Sequence, residues 1–168
     1  MKKLIIMCGC PGSGKSTWIK EELKKSIYTV KVVSRDEIRF GLLTEGDADY
    51  FSKEKVVFSL FCKEISDALA NNYIDIVIAD ATHLNKKSRA KLLNNIKLPN
   101  ECIIEAVCLE TPLDECLKRN AERTGLALVP EEALIQMYEN YKRPSLYEGF
   151  HCIRVLQDNY KILISRRS

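Results

Sequence analysis

Residues 9–18 read GCPGSGKSTW and follow directly on the apolar run LIIMC at 4–8. Three glycines, a proline and one lysine stand together behind a short strand-like segment. The stretch fits G-x-x-x-x-G-K-[ST] as Gly9, Gly14, Lys15 and Ser16, the signature of a phosphate-binding loop. Phosphate oxygens need many donors at close range, and a backbone with few side chains supplies them. Gly12 and Gly14 let the main chain curl so that successive N–H groups of Gly9, Cys10, Pro11, Gly12, Ser13, Gly14, Lys15, Ser16 and Thr17 surround one centre, proline giving only its fixed φ. The helix opening near Lys15 adds its positive dipole end. In this signature the lysine reaches β- and γ-phosphates and the Ser16 hydroxyl ligates Mg²⁺, so the expected cofactors are ATP and Mg²⁺. The plainer alternative is a glycine turn ahead of a capped helix.

Working outward, apolar runs and helical periodicities alternate. Strands are expected at Leu4–Cys8, Thr29–Val33, Ile74–Ala79 and Cys102–Leu109, with weaker ones near Ile153–Leu156 and Ile162–Ile164. Helices are expected at Lys15–Lys25, from Asp36 to Phe40, roughly over Tyr50–Ala70, and at Asn85–Asn95. Two more follow, one from the Thr111 and Pro112 cap to about Arg123, the other over Pro130–Tyr141. Strands alternating with helices imply an α/β chain built on a doubly wound parallel sheet, read as one domain over 1–168. In such sheets ligands collect beyond the carboxyl ends of the strands. Three segments leave strands at that edge: the loop itself, SRDEIR at 34–39 and DATHLN at 80–85.

The bulk numbers suit this reading. The chain has 168 residues, 46% hydrophobic and 29% charged, as ordinary globular domains do. No apolar run approaches the roughly 18 residues of a membrane span, and MKKLIIMCGC is too short to serve as a signal peptide, so no membrane partner and a cytoplasmic location are expected. Seven cysteines with no C-x-x-C pair argue against a disulfide framework or a zinc site. Cys10 is either an oxidisable thiol in the loop or a small tolerated side chain. A net charge of +3 points to local contact at a strand end if nucleic acid is bound.

A phosphoryl acceptor site needs a base, and a carboxylate beside a cation suits a hydroxyl next to a phosphate. Asp36 and Arg39 are three residues apart and share one helix face. The plain alternative makes Asp36 a helix cap and Arg39 a solvated charge. Arg119 and Arg123, at i, i+4, share one side of their helix, with Leu117 about half a turn from Arg119 and facing the core.

GCPGSGKSTW, SRDEIR, IADATHLNKKSR and LKRNAERTGLALVP, in this order and spacing, resemble the kinase module of the 5′-hydroxyl polynucleotide kinases of phage and eukaryotes. YKRPSLYEGF is similar to the stretch that closes the eukaryotic domains. The resemblance runs from about residue 3 to 155. It implies a P-loop NTPase fold with a helical lid and transfer of the ATP γ-phosphate to a 5′-OH end of RNA or DNA. It makes Asp36 the general base and Arg39 the arginine that contacts the substrate phosphate and orients the base. Thr82 falls in the acceptor pocket, with His83 where asparagine is common. Asp80 supports Mg²⁺ through water; the plain reading is a cap. Arg119 and Arg123 close from the lid over ATP. Related P-loop kinases phosphorylate small-molecule or tRNA-linked hydroxyls, which is the alternative acceptor class.

Other features are bland. Lys86, Lys87, Arg89 and Lys91 read as a solvated helix face or a nucleic-acid contact, and Trp18 as packing. Asp47-Ala48-Asp49 only faintly resembles a phosphatase motif, and no ligase lysine motif is apparent. A stand-alone kinase, or one working with a separate phosphatase or ligase, is therefore expected.

Overall fold

The computed structural model describes residues 1–43, 52–157 and 161–166. Six strands form one sheet in the order β2-β3-β1-β4-β5-β6. They are β1 (Lys3–Cys8), β2 (Val30–Ser34), β3 (Ile76–Asp80), β4 (Ile103–Glu110), β5 (Cys152–Gln157) and β6 (Lys161–Arg166). The first five run parallel, and β6 lies antiparallel to β5 at one edge. The doubly wound parallel sheet expected from the sequence is thus present, with one antiparallel edge strand.

Why these strands are central follows from their composition. A parallel strand covered by helices on both faces has to be apolar at every position. In β1, Leu4, Ile6 and Cys8 enter a core with α3 (Glu54–Ala70) and α4 (Lys86–Asn95). The alternate residues Ile5 and Met7 enter a second core with α1 (Lys15–Lys25) through Ile19. Trp18 packs at the margin of that second core with the Arg154 guanidinium 5.1 Å over its ring, as the packing reading expected. A third, smaller cluster joins Cys10 of the loop to Cys116 of α5 (Leu113–Ala121) and Leu134 of α6 (Glu131–Glu139). It ties the helical pair α5–α6 to the phosphate loop.

Several boundaries move, each for a local reason. The helix expected over Tyr50–Ala70 begins at Glu54 among the described residues. Tyr50 and Asp47-Ala48-Asp49 lie outside them. The helix expected to reach Arg123 ends at Ala121. There the Asn120 side chain turns inward, donating to the Val129 carbonyl at 2.7 Å and accepting from the Val129 N–H at 3.1 Å. Pro112, not Thr111, takes the N-cap position of α5. The Thr111 hydroxyl donates instead to the Ser13 carbonyl at 2.8 Å, fastening the end of β4 to the loop.

Lys86, Lys87 and Lys91 are exposed, as the solvated-face reading of that run expected, and Arg89 alone departs from it. Arg89 is 1% exposed. Its Nε and Nη2 donate to the Glu148 carboxylate at 2.7 and 3.0 Å, and Nη1 donates to the carbonyls of His83 and Lys142. A run of basic letters carries no sign of which one faces inward; the partner, Glu148, stands 59 residues away.

Candidate functional site: a phosphate loop facing an acidic helix start

The loop leaves β1, the strand flanked by β3 and β4 where the sheet order turns. Its glycines are demanded by geometry. Gly12 has φ +78, and a Cβ there would stand 2.5 Å from the Cys116 carbonyl oxygen of α5. A Cβ on Gly9 would meet Ser13 Oγ at 2.7 Å. The Gly9 N–H donates to the Thr82 carbonyl at 2.9 Å, so the segment after β3 holds the loop's entrance. Lys15 Nζ donates to the carbonyls of Gly9 and Cys10, each at 2.9 Å. Burial lowers the lysine's pKa, and Asp80, Cys10 and Asp36 oppose that shift. Ser16 and Thr17 are exposed on the first turn of α1. Cys10 is 4% exposed, and burial pushes its thiol up to about 11, so it stays protonated at neutral pH.

The second wall is α2 (Arg35–Leu42). Its cap is Ser34, whose hydroxyl accepts from the Glu37 N–H at 3.4 Å, so the capping reading of Asp36 is not what the structure has. Nor is Arg39 a solvated charge: it is 5% exposed. Its Nη1 pairs with Asp36 and its Nη2 with Glu54 at 2.9 Å. Glu54 also pairs with Arg35. Asp36 itself is half-exposed and acts electrostatically on both Lys15 and Asp80. Nothing in the sequence singles out Glu54; its signal, an acid opening a helix, is too common to find.

Asp80 ends β3 in register with Ser34 of β2. Burial raises its pKa, Lys15 lowers it, and Asp36 and Glu37 raise it again. The cap of α4 is Asn85, in a reciprocal box with Ser88, so Asp80 is not that cap. Three metal-ligating side chains cluster nowhere among the described residues. Mg²⁺ held chiefly by phosphates and water asks for no such cage. The hard oxygen donors Ser16 and Asp80, with Asp80 close enough to sense Lys15, fit that ion.

Thr82 and His83 separate. Thr82 is partly exposed beside the loop. His83 is 4% exposed, with φ 39, and its Nδ1 lies 2.8 Å from the Met7 carbonyl. Burial drives its pKa down to about 4. The ring is thus turned into the core beside Phe61, centroids 6.0 Å apart, rather than toward an acceptor. Histidine and asparagine are both enriched in left-handed backbone, so this conformation accommodates either residue.

On the far side, Arg119 of α5 leans onto the loop, its Nη1 donating to the Gly12 carbonyl at 3.2 Å. Arg123, just past the helix, acts electrostatically on Lys15 and donates to the Ala127 carbonyl at 3.4 Å. The loop, Asp36, Arg39, Asp80, Arg119 and Arg123 therefore share one edge of the sheet.

A family model described as an AAA domain matches residues 4–144. The L-seryl-tRNA(Sec) kinase of Methanococcus maripaludis is 31% identical over 146 residues, 84% of this chain and 53% of that protein. The chain thus spans about half the length of that curated relative. A chain in the Pnkp1/Rnl/Hen1 RNA repair complex superposes with a TM-score of 0.65 at 22% identity, covering 99% of this chain and 49% of that one. Chaetomium thermophilum Kti12 in complex with ADP-AlF3 superposes at 0.64 with 16% identity, over 93% and 89% of the two chains. The two structural likenesses establish the fold.

Proposed function

The chain belongs to the AAA domain family, with a P-loop kinase fold, and from that premise we infer that it transfers the γ-phosphoryl group of ATP to a hydroxyl at the end of a nucleic acid, the 5′-OH of RNA or DNA. The observation that carries this reading is the Asp36–Arg39 pair, set at the sheet edge that holds the loop, with Asp36 felt by Lys15 and Asp80. A base beside a buried arginine is what an alcohol acceptor with a neighbouring phosphate requires.

In this reading the loop amides and Lys15 hold the β- and γ-phosphates, exchanging the Lys15 contacts with Gly9 and Cys10 for phosphate oxygens. Ser13 Oγ, buried without a partner among the described residues, adds a polar group to the cradle. Asp36 takes the proton of the acceptor hydroxyl as its oxygen bonds to the γ-phosphorus. The bond from that phosphorus to the β-bridging oxygen breaks, and ADP leaves with the electron pair. Arg119 and Arg123 stabilise charge on the transferring group. Ser16 and Asp80 would hold Mg²⁺, which would supply neutralisation of the phosphate oxygens. Arg39 holds the base and meets the substrate phosphate.

A second reading keeps the donor site and moves the acceptor to a hydroxyl borne by tRNA. The 31% identity to the archaeal seryl-tRNA kinase favours it. Labelled ATP with 5′-OH oligonucleotides, charged tRNA and small alcohols, side by side, separates the readings. Label on the oligonucleotide supports the first and label on the tRNA-borne hydroxyl alone the second. Label only on small alcohols overturns both.

A further inference from the structure

The acceptor wall continues past Asp36 along a chain of charges that ends beyond the reacting groups. Arg39 leads to Glu54, Glu54 to Arg35, and the Arg35 guanidinium lies 5.3 Å from the centroid of the Phe58 ring. Over the same ring, 4.4 Å from its centroid, stands Nζ of Lys91 from α4. Two cations from two helices are gathered on one partly exposed aromatic side chain of α3. Glu54 answers Arg35 in part, being shared with Arg39. Lys91 pairs with no carboxylate among the described residues. Arg35 Nε is buried with no acceptor among them.

Two like charges brought together repel unless an anion or an electron-rich surface offsets them. The ring supplies a modest offset. A phosphodiester would supply the rest, and aromatic rings beside cations are how single strands are held without regard to sequence. Arg89 is spent on Glu148, so the outward basic face of α4 is carried by Lys87 and Lys91, one turn apart and both exposed.

Resting on the oligonucleotide reading of the site, we propose that Arg35, Phe58 and Lys91 form a docking subsite for the strand behind the acceptor nucleotide. Its ligand is the second phosphodiester from the 5′ end, one nucleotide beyond the phosphate that Arg39 meets and absent from a nucleoside 3′-monophosphate, with the intervening base or sugar against Phe58. The subsite makes the protein prefer a strand to a lone nucleotide. It also accounts for nucleic-acid contact in a chain of net charge only +3, because the positive surface needed is small and local.

The test compares a nucleoside 3′-monophosphate with a 5′-OH oligonucleotide of about eight nucleotides, a length typical of such sites. Wild type is expected to show the lower KM for the oligonucleotide. Lys91→Glu is expected to narrow the KM ratio between the two acceptors about fivefold, the scale of one exposed ionic contact. With a 3′-fluorescent oligonucleotide, the slope of log Kd against log salt should flatten by about 0.7 for each phosphate the variant no longer neutralises. Phe58→Leu, which keeps an apolar side chain against α2 and α4, should narrow the KM ratio in the same direction. An unchanged KM ratio and salt slope in both variants, with oligonucleotide phosphorylation intact, overturns the subsite and leaves the kinase reading standing. Wild-type protein that neither binds nor phosphorylates the oligonucleotide overturns the oligonucleotide reading, and the subsite falls with it.

Discussion

Glu54, the first residue of α3, accepts from Arg39 Nη2 at 2.9 Å while Arg39 Nη1 holds Asp36. An acid on a neighbouring helix thus fixes a buried guanidinium, which holds Asp36, the base of the proposed reaction. Glu54→Gln weakens that brace without touching the phosphate loop. Single-turnover transfer should slow about tenfold, as misplacing a catalytic group does. ATP affinity, read by titration with a fluorescent analogue, should stay within about twofold, since the brace acts on the acceptor side. Equal losses in both quantities would reduce Glu54 to a folding role.

Gly12 combines a left-handed φ with a carbonyl of α5 in the place of a side chain. Gly12→Ala therefore costs at least about 2 kcal/mol, since left-handed strain and a backbone collision act together. Urea unfolding measures it. Gly125→Ala, which meets no atom within 4 Å but shares a positive φ, serves as the control for strain alone. Its cost should be the smaller of the two.

The Arg89–Glu148 pair predicts a large stability effect far from chemistry. Both members are buried, at 1% and 7% side-chain exposure. Burial would raise the Glu148 pKa, yet the hydrogen bonds from Arg89 and the Ser145 backbone hold it below the usual range. Glu148→Gln leaves a buried guanidinium without its counter-charge, costing about 3–5 kcal/mol in urea unfolding. Arg89→Met paired with Glu148→Met should recover much of that loss.

His83 gives a pH dependence whose sign is fixed. Its pKa falls to about 4 on folding from 6.5. Below pH 6.5 the unfolded chain takes up a proton that the folded chain refuses, so stability drops as pH falls from 6.5 to about 4. The full drop is roughly 3 kcal/mol. His83→Asn keeps the left-handed backbone and removes the titrating group. Unfolding free energies at pH 7.5 and 5 should then differ less in the variant than in wild type. An equal difference would mean the ring is solvated and charged.

Much of this is legible in the sequence because it rests on local chemistry. The alternation of apolar runs locates all six strands, and helix α1 has the expected bounds, Lys15–Lys25, because a glycine-rich entry and a terminal lysine pair punctuate it. The three-residue spacing of Asp36 and Arg39 makes their pairing legible, while the roles proposed for them come from the resemblance. What the sequence hides is long-range. The partner of Arg89, the carbonyl that Thr111 holds and the brace from Glu54 all lie on other elements. His83 reads as polar, and only its left-handed turn after β3 carries the ring inward. Helix α5 stops short because Asn120, an inconspicuous letter, bonds both polar groups of the Val129 backbone.

The central claim is that Asp36 takes the acceptor proton opposite the phosphate loop. Asp36→Asn, assayed in parallel for ATP binding and for single-turnover transfer from labelled ATP to a 5′-OH oligonucleotide, tests it most directly. The account predicts transfer slowed by about 100-fold or more with ATP affinity within about twofold of wild type. Transfer at the wild-type rate in Asp36→Asn would contradict it.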